Sequence, residues 1–316
     1  MIVRTNVKLN LGLRVLRKRP DGYHDIETLF VPCHEFGDTL EIITGDDYSR
    51  TSAAMFAKSG PSIDSAAGIA GGGGRTQPQR SEDGLARSLP AHRPLYSERI
   101  VQGISQDGKL MITIAREEGV DWDPLKDLCA KAYMLLDSDF DLPPVKIFLE
   151  KTAPVGAGLG GGSADAAFTL KALDELCGLG LDDVRLAGYA SRLGSDCALF
   201  IYNRPMLGTG RGEILEPLEI DLSGYDIKVL VPEGISVSTS EAYSGMIPRE
   251  AEGPSIKEIA SMPVETWKQL LVNDFEVTVF KAYPELAAIK QSLYDSGAVY
   301  ASMSGSGSAI FALYRR

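Results

Sequence analysis

Pro154-Val155-Gly156-Ala157-Gly158-Leu159-Gly160-Gly161-Gly162-Ser163-Ala164-Asp165 is the stretch on which the reading of this chain turns. Upstream, Val145-Lys146-Ile147-Phe148-Leu149 reads as a strand. Downstream, Ala166, Leu170, Leu173 and Cys177 form a helical stripe, so about Ser163 to Cys177 reads as a helix, closed by Gly178-Leu179-Gly180. Five of the seven residues from 156 to 162 are glycine. Without Cβ atoms, their backbone N–H groups can approach a ligand closely. The helix N-terminus adds unpaired amides and the positive end of its dipole. Together these make an anion site suited to a di- or triphosphate. No Gly-Lys-Ser/Thr follows, so this is not a Walker A loop. No clean strand–helix–strand unit with a later acidic residue surrounds it, which argues against a dinucleotide fingerprint. The competing reading is a flexible turn with Ser163 as a helix cap.

Outward from this loop the pattern is α+β, with strands in clusters rather than strict alternation. Val7, Leu9, Leu11 and Leu13 alternate with Lys8, Asn10, Gly12 and Arg14, which places Lys8 and Asn10 on one face of a strand. Further strands are expected at Thr28–Val31, Thr39–Ile43, Leu110–Ile114, Ile227–Val231 and Ser308–Leu313. Helices are expected at Asp127–Ser138, at Asp182–Leu193 with Asp182 as N-cap, and near Ser255–Ala260, Glu265–Val272 and Pro284–Ser296. Residues 46–96 hold 7 Gly and 4 Pro, few large apolar residues and no sustained period. Such a stretch cannot bury enough to offset its ordering entropy, and it reads as a flexible insertion. The run Gly71–Gly74 inside it lacks the flanking strand and helix of a phosphate site and reads as linker.

The chain has 316 residues, enough for about two domains, and the expected junction lies near Leu222 to Tyr225. Its net charge of −11 argues against a general binder of nucleic acid or anionic membranes. It leaves room for an anionic small ligand in an amide-lined pocket. The four cysteines, Cys33, Cys129, Cys177 and Cys197, show no C-x-x-C spacing, and three His leave little for a zinc site. They read as free thiols in a reducing compartment. No apolar run approaches the roughly 18 residues of a membrane span, and Met1 to Asn10 lacks the apolar stretch of a signal peptide. The expectation is a cytoplasmic protein.

Four groups of residues could carry chemistry. Asp196, in Gly194-Ser195-Asp196-Cys197, is either a helix cap or a carboxylate that deprotonates a hydroxyl. Lys8 is either a solvated strand lysine or a cation that stabilises transferring charge. Tyr23-His24, after the turn Pro20-Asp21-Gly22, is either surface or a base-recognition pair. Ser304-Gly305-Ser306-Gly307-Ser308 is either a tight turn or a second close-approach loop.

These pieces occur together in a familiar order. Asn6-Val7-Lys8-Leu9-Asn10-Leu11 and Arg19-Pro20-Asp21-Gly22-Tyr23-His24 resemble the N-terminal signature of the 4-diphosphocytidyl-2-C-methyl-D-erythritol kinase family. The Gly156–Asp165 and Ser304–Ser308 segments resemble the second and third motifs of the wider galactokinase/homoserine kinase/mevalonate kinase/phosphomevalonate kinase superfamily. Gly194-Ser195-Asp196, Gly208-Thr209-Gly210-Arg211-Gly212-Glu213 and Asn273-Asp274-Phe275-Glu276 also fit the family pattern. The resemblance covers nearly the whole chain except 46–96.

The resemblance implies a two-domain α+β kinase fold with the active site in the interdomain cleft. A ribosomal protein S5 domain 2-like N-terminal domain (1–222, ATP-binding and catalytic) would precede a ferredoxin-like C-terminal domain (223–316). It implies transfer of the ATP γ-phosphate to the 2-hydroxyl of a cytidine diphosphate-linked methylerythritol, on the non-mevalonate route to isoprenoids. Asp196 would be the catalytic base and Lys8 its charged partner. Asn10 and Thr239 would face the substrate, His24 would read the cytosine edge, and Tyr23 and Tyr243 would sandwich the ring. Pro154, Val155, Gly156, Ala157, Gly158, Leu159, Gly160, Gly161, Gly162 and Ser163 would bind ATP. Mg²⁺ is implied, with Ser163 the nearest to an assignable ligand. The implied partner is a small molecule, with no nucleic acid and no membrane, bound by a monomer or weak homodimer. Three departures stand out: Val7 where Ala is usual, Asp127 where the family has Asn near the nucleotide, and the 46–96 insertion where the family has a short link between strands. Another superfamily kinase, or a non-catalytic nucleotide-binding regulator on the same fold, are the alternatives.

Overall fold

A computed structural model describes residues 1–44, 99–246, 248 and 253–316; the insertion expected at 46–96 lies outside the described residues. The chain opens with β1 (Ile2–Arg4), β2 (Val7–Lys18), β3 (His24–Cys33) and β4 (Thr39–Thr44). There follow β5 (Ile100–Ile104), β6 (Leu110–Arg116), α1 (Leu128–Phe140), β7 (Val145–Lys151), α2 (Gly161–Cys177), α3 (Asp183–Leu193) and α4 (Cys197–Tyr202). The hairpin β8 (Met206–Thr209) and β9 (Ile214–Pro217) leads to β10 (Tyr225–Leu230). The remainder is α5 (Thr239–Tyr243), α6 (Ile256–Ala260), α7 (Trp267–Leu270), α8 (Phe275–Ala282), α9 (Pro284–Asp295), β11 (Tyr300–Met303) and β12 (Ile310–Arg315).

Three sheets organise these elements, in the orders β1-β4-β7-β6-β5, β2-β3-β8-β9 and β10-β12-β11. Among the named strands only β6 and β7 pair in parallel, with α1 as their crossover; the other strand pairings described are antiparallel. The architecture is therefore α+β, as the clustered strands predict. The five-stranded sheet and helices α1 to α4 share one core, around Ile112, Ile147, Leu170 and Leu199. A second core joins the two ends of the chain: Leu9, Leu11 and Leu29 of β2 and β3 pack with Trp267, Tyr300 and Phe311. Each such fully buried side chain contributes about 1.5–3 kcal/mol.

The helix boundaries have local causes. Asp182 caps α3 by accepting from Arg185 N, as predicted. Ser255 and Glu258 form a capping box at α6. Asp127 caps α1. The helix expected over Glu265–Val272 is split: a 3-10 turn at Val264–Thr266 runs into the single turn of α7. Tyr300 Oη donates to the Leu271 carbonyl just beyond it, at 2.7 Å. The strand expected from Ser308 begins only at Ile310. Ser308 Oγ is instead tied to Ile235 O, and Ala309 N to Ala157 O. No described helix is long and apolar enough to cross a membrane.

Candidate active site

The glycine-rich loop runs from the end of β7 into α2. Its helix starts at Gly161, earlier than the sequence predicts, and Gly160 occupies the cap position at φ 72° with no side chain bonding the first turn. Ser163 is thus inside the helix and is not its cap. The amides of Gly161, Gly162 and Ser163 have no acceptor among the described residues. They line a cavity of about 330 Å³ together with Trp122, Asp127 and Lys151. Unpaired amides at an uncapped helix N-terminus are what a polyphosphate requires. Asp127 borders this cavity, yet its oxygens are engaged by donors: Cys129 N at 2.9 Å and Trp122 Nε1 at 3.0 Å.

A second cavity, of about 430 Å³, lies on the other side of the loop. Its walls include Lys8, Asn10, Asp196, Thr239 and Tyr243. Gly156, Gly158 and Gly160 border both cavities. A donor in one and an acceptor in the other would meet at these glycines.

Ser304–Ser308 resolves as part of the site. Ser304 Oγ donates to Gly158 O at 3.1 Å, and Gly305 and Ser306 border the larger cavity. Asn273 Nδ2 holds this turn from behind through Met303 O and Gly305 O, both at 2.8 Å. Gly158 sits at φ +76°, and a Cβ there would lie 2.2 Å from Ser304 O. Gly158→Ala is therefore expected to push the two loops apart and raise the KM for ATP by at least tenfold. Steady-state kinetics at varied ATP checks this; an unchanged KM would separate the loop from nucleotide binding.

Lys8 does not face water. It is 3 % exposed, because one face of β2 lies on the second core and the other under the loop. Its ammonium donates to Asn10 Oδ1 and to Gly158 O at 2.9 Å, and stands 3.6 Å from Asp196 Oδ2. Burial lowers the Lys8 ammonium below its usual range, and the Asp196 charge partly restores it. Asp196 precedes α4 at the cap position but makes no cap hydrogen bond. Its carboxylate, 29 % exposed, opens to the cleft, with Ser195 Oγ at 3.3 Å. Asn10 is fixed in turn: its Nδ2 donates to Thr28 Oγ1 at 3.0 Å.

At the aromatic end, His24 rather than Tyr23 faces Tyr243. His24 stacks directly on Tyr243, with centroids 4.6 Å apart and planes at 14°. Tyr243 also packs edge-on against Phe275. Tyr23 is 57 % exposed and lies beneath the Arg211 guanidinium, 5.0 Å away. Tyr243 and Thr239 line the cleft, whereas Tyr23 and His24 are not part of its lining. A bare tyrosine face is apolar surface, and the neighbouring imidazole covers it. Burial first, and then the Lys18 charge, lower the His24 pKa, so the ring is neutral at neutral pH and can both donate and accept.

Sequence reasoning gave no role to Lys151, Asn273 or Arg211. Lys151 stands just ahead of the loop, and Asn273 and Arg211 fall in stretches that fit the family pattern, but only the fold shows their contacts.

Known proteins resemble this chain over nearly its full length. Residues 127–204 match the family described as GHMP kinases N terminal domain, and residues 255–316 that described as GHMP kinases C terminal. The 4-diphosphocytidyl-2-C-methyl-D-erythritol kinase of Azobacteroides pseudotrichonymphae is 38% identical over 100% of this chain and 94% of its own length. The enzyme of the same name from Bacteroides fragilis is 39% identical over 99% of this chain and 92% of its own. A crystal structure of 4-(cytidine 5'-diphospho)-2C-methyl-D-erythritol kinase superposes with a TM-score of 0.64 at 26% identity, covering 99% of this chain and 90% of that one. Full-length identity at this level, on a fold that carries both GHMP kinase domains, places the chain in the 4-diphosphocytidyl-2-C-methyl-D-erythritol kinase family.

Proposed function

We propose that this protein transfers the γ-phosphate of ATP to the 2-hydroxyl of 4-diphosphocytidyl-2-C-methyl-D-erythritol, a step toward isoprenoid precursors. The observation that carries this reading is the Lys8–Asp196 pair, 3.6 Å apart, at the glycines where the two cavities meet. ATP lies along Pro154 to Ser163, its phosphates on the free amides of the α2 N-terminus. The acceptor enters the larger cavity against Asn10 and Thr239. Its cytosine stacks on Tyr243 once His24 swings off that face to read the base edge, with Tyr23 closing from the other side. The acceptor hydroxyl oxygen attacks the γ-phosphorus, its proton passes to Asp196, and the bond from the γ-phosphorus to the bridging oxygen breaks to release ADP. Lys8 stabilises the charge that develops between them.

Mg²⁺ fits this site. It takes few protein oxygens when phosphates supply the rest. The Ser163 hydroxyl, in the first turn of α2 and bordering the loop cavity, would hold the ion beside the loop. When bound it offsets triphosphate charge. In this reading 1–222 is the ATP-binding and catalytic domain, and 223–316 supplies Thr239 and Tyr243.

The test is ADP release from Mg-ATP with four acceptors: the cytidylated compound, uncytidylated methylerythritol phosphate, homoserine and mevalonate. Turnover is expected with the first alone. No turnover from folded, ATP-binding protein, or equal turnover with homoserine or mevalonate, would overturn the assignment.

A further inference from the structure

Arg211 sits at the tip of the β8–β9 hairpin and borders the larger cavity. Its position is built. Ile26 N donates to Gly210 O at 2.7 Å, tying the hairpin to β3. Glu213 takes the Arg211 backbone N–H with one oxygen and lies 3.4 Å from Nε with the other. Those contacts leave the terminal guanidinium nitrogens with no acceptor among the described residues. The guanidinium carbon lies over the Tyr23 ring, 5.0 Å from its centroid.

Among the described residues, two cationic side chains line this cavity, Lys8 and Arg211. Lys8 is committed to Asn10, Gly158 O and Asp196. An acceptor with a diphosphate between its base and its reacting hydroxyl brings anionic charge into a chain whose net charge is −11. Among the described residues, Arg211 is the cationic side chain left to meet it. A guanidinium with both terminal nitrogens free can engage phosphate oxygens in a bidentate fork.

We propose that Arg211 is the ligand for the acceptor's diphosphate, and so a determinant of selectivity for nucleoside diphosphate-linked acceptors. The inference rests on the acceptor assignment made above. The alternative role, holding Tyr23 by its ring face alone, would act on the base end of the ligand.

Titration calorimetry with cytidine and with CDP separates the two roles in the wild-type chain, Arg211→Ala and Arg211→Lys. Wild type is expected to bind CDP more tightly than cytidine. Arg211→Ala is expected to weaken CDP by about 10- to 100-fold, to leave cytidine within about twofold, and to leave the KM for ATP unchanged. Arg211→Lys keeps the charge without the fork and should recover part of the loss. Equal weakening of cytidine and CDP would assign Arg211 to Tyr23 and overturn the proposal, as would unchanged CDP binding in Arg211→Ala. If wild type binds neither ligand, the cytidylated acceptor itself is wrong, which is a separate failure.

Discussion

Asp196→Asn is expected to lower kcat by about 10²- to 10⁴-fold, the span that a positioned general base contributes. The substitution is nearly isosteric. Asparagine keeps an oxygen for Ser195 Oγ, and no helix cap is lost because Asp196 makes none. The thermal midpoint and the KM for ATP should therefore stay close to wild type. What goes is the proton acceptor and the negative partner of Lys8. That second loss has its own signature. Burial already lowers the Lys8 ammonium, and Asp196 is what pulls it back up. Lys8 acts in its charged form, so activity falls as pH rises through its pKa. Without Asp196 that pKa drops further, and the alkaline limb of the residual activity should move to lower pH. A variant with near-wild-type kcat would remove Asp196 from the base role. A normal alkaline limb on a reduced kcat would keep the base and discard the coupling to Lys8.

The parts of the site visible in the sequence are those encoded locally. Strand, glycine run and helix follow one another in Val145 to Cys177, and glycine density alone marks where two stretches of backbone approach closely, as Gly158 does Ser304. Asp182 and Ser255 are legible as caps because a cap bonds its own first turn. What stayed hidden depends on partners far along the chain. The burial of Lys8 follows from a loop about 150 residues later in the chain, with Gly158. Helix α4 is six residues that are all buried bar one, CALFIY, so no amphipathic period announces it. Strands β1, β5, β8, β9 and β11 are short and take their shape from neighbouring strands. The His24–Tyr243 stack joins β3 to α5, and no spacing rule relates them. Asp127 is instructive in the other direction. A carboxylate near a polyanion reads as a liability from the sequence, but Trp122 Nε1 and Cys129 N both donate to it.

Beneath the glycine loop lies a buried ion cluster, and breaking it should have the largest effect on stability. Asp38 is fully buried. It accepts from Thr152 N at 2.6 Å, Ala153 N at 2.7 Å and Lys151 Nζ at 2.5 Å. Lys151 also donates to Asp165 at 2.6 Å, and Thr5 Oγ1 donates to the other Asp165 oxygen. Burial alone would lower the Lys151 ammonium; Asp165 and Asp38 overcome this and raise it. Removing one partner of such a group leaves a buried charge uncompensated, at a cost of about 3–5 kcal/mol. Asp38→Ala also strands two backbone amides, so a loss at the top of that span is expected by urea denaturation. The loop should suffer with it, since a Cβ on Gly161 would stand only 3.7 Å from Asp38 Oδ2. Asp165 behaves differently. Burial pushes its carboxyl up to about 8, with Lys151 opposing and Asp38 adding. Between the ordinary carboxylate range and that value the folded chain holds a proton that the unfolded chain has released. Stability contributed by this group is therefore greatest below about pH 4 and declines as pH rises toward 8. Asp165→Asn mimics the protonated acid. It should cost little at neutral pH and flatten this decline, while Asp38→Ala unfolds the chain far more readily at every pH. Equal losses for the two variants, or an unchanged pH slope in Asp165→Asn, would mean that Asp165 is ionised in the fold and that the cluster is held by two full ion pairs.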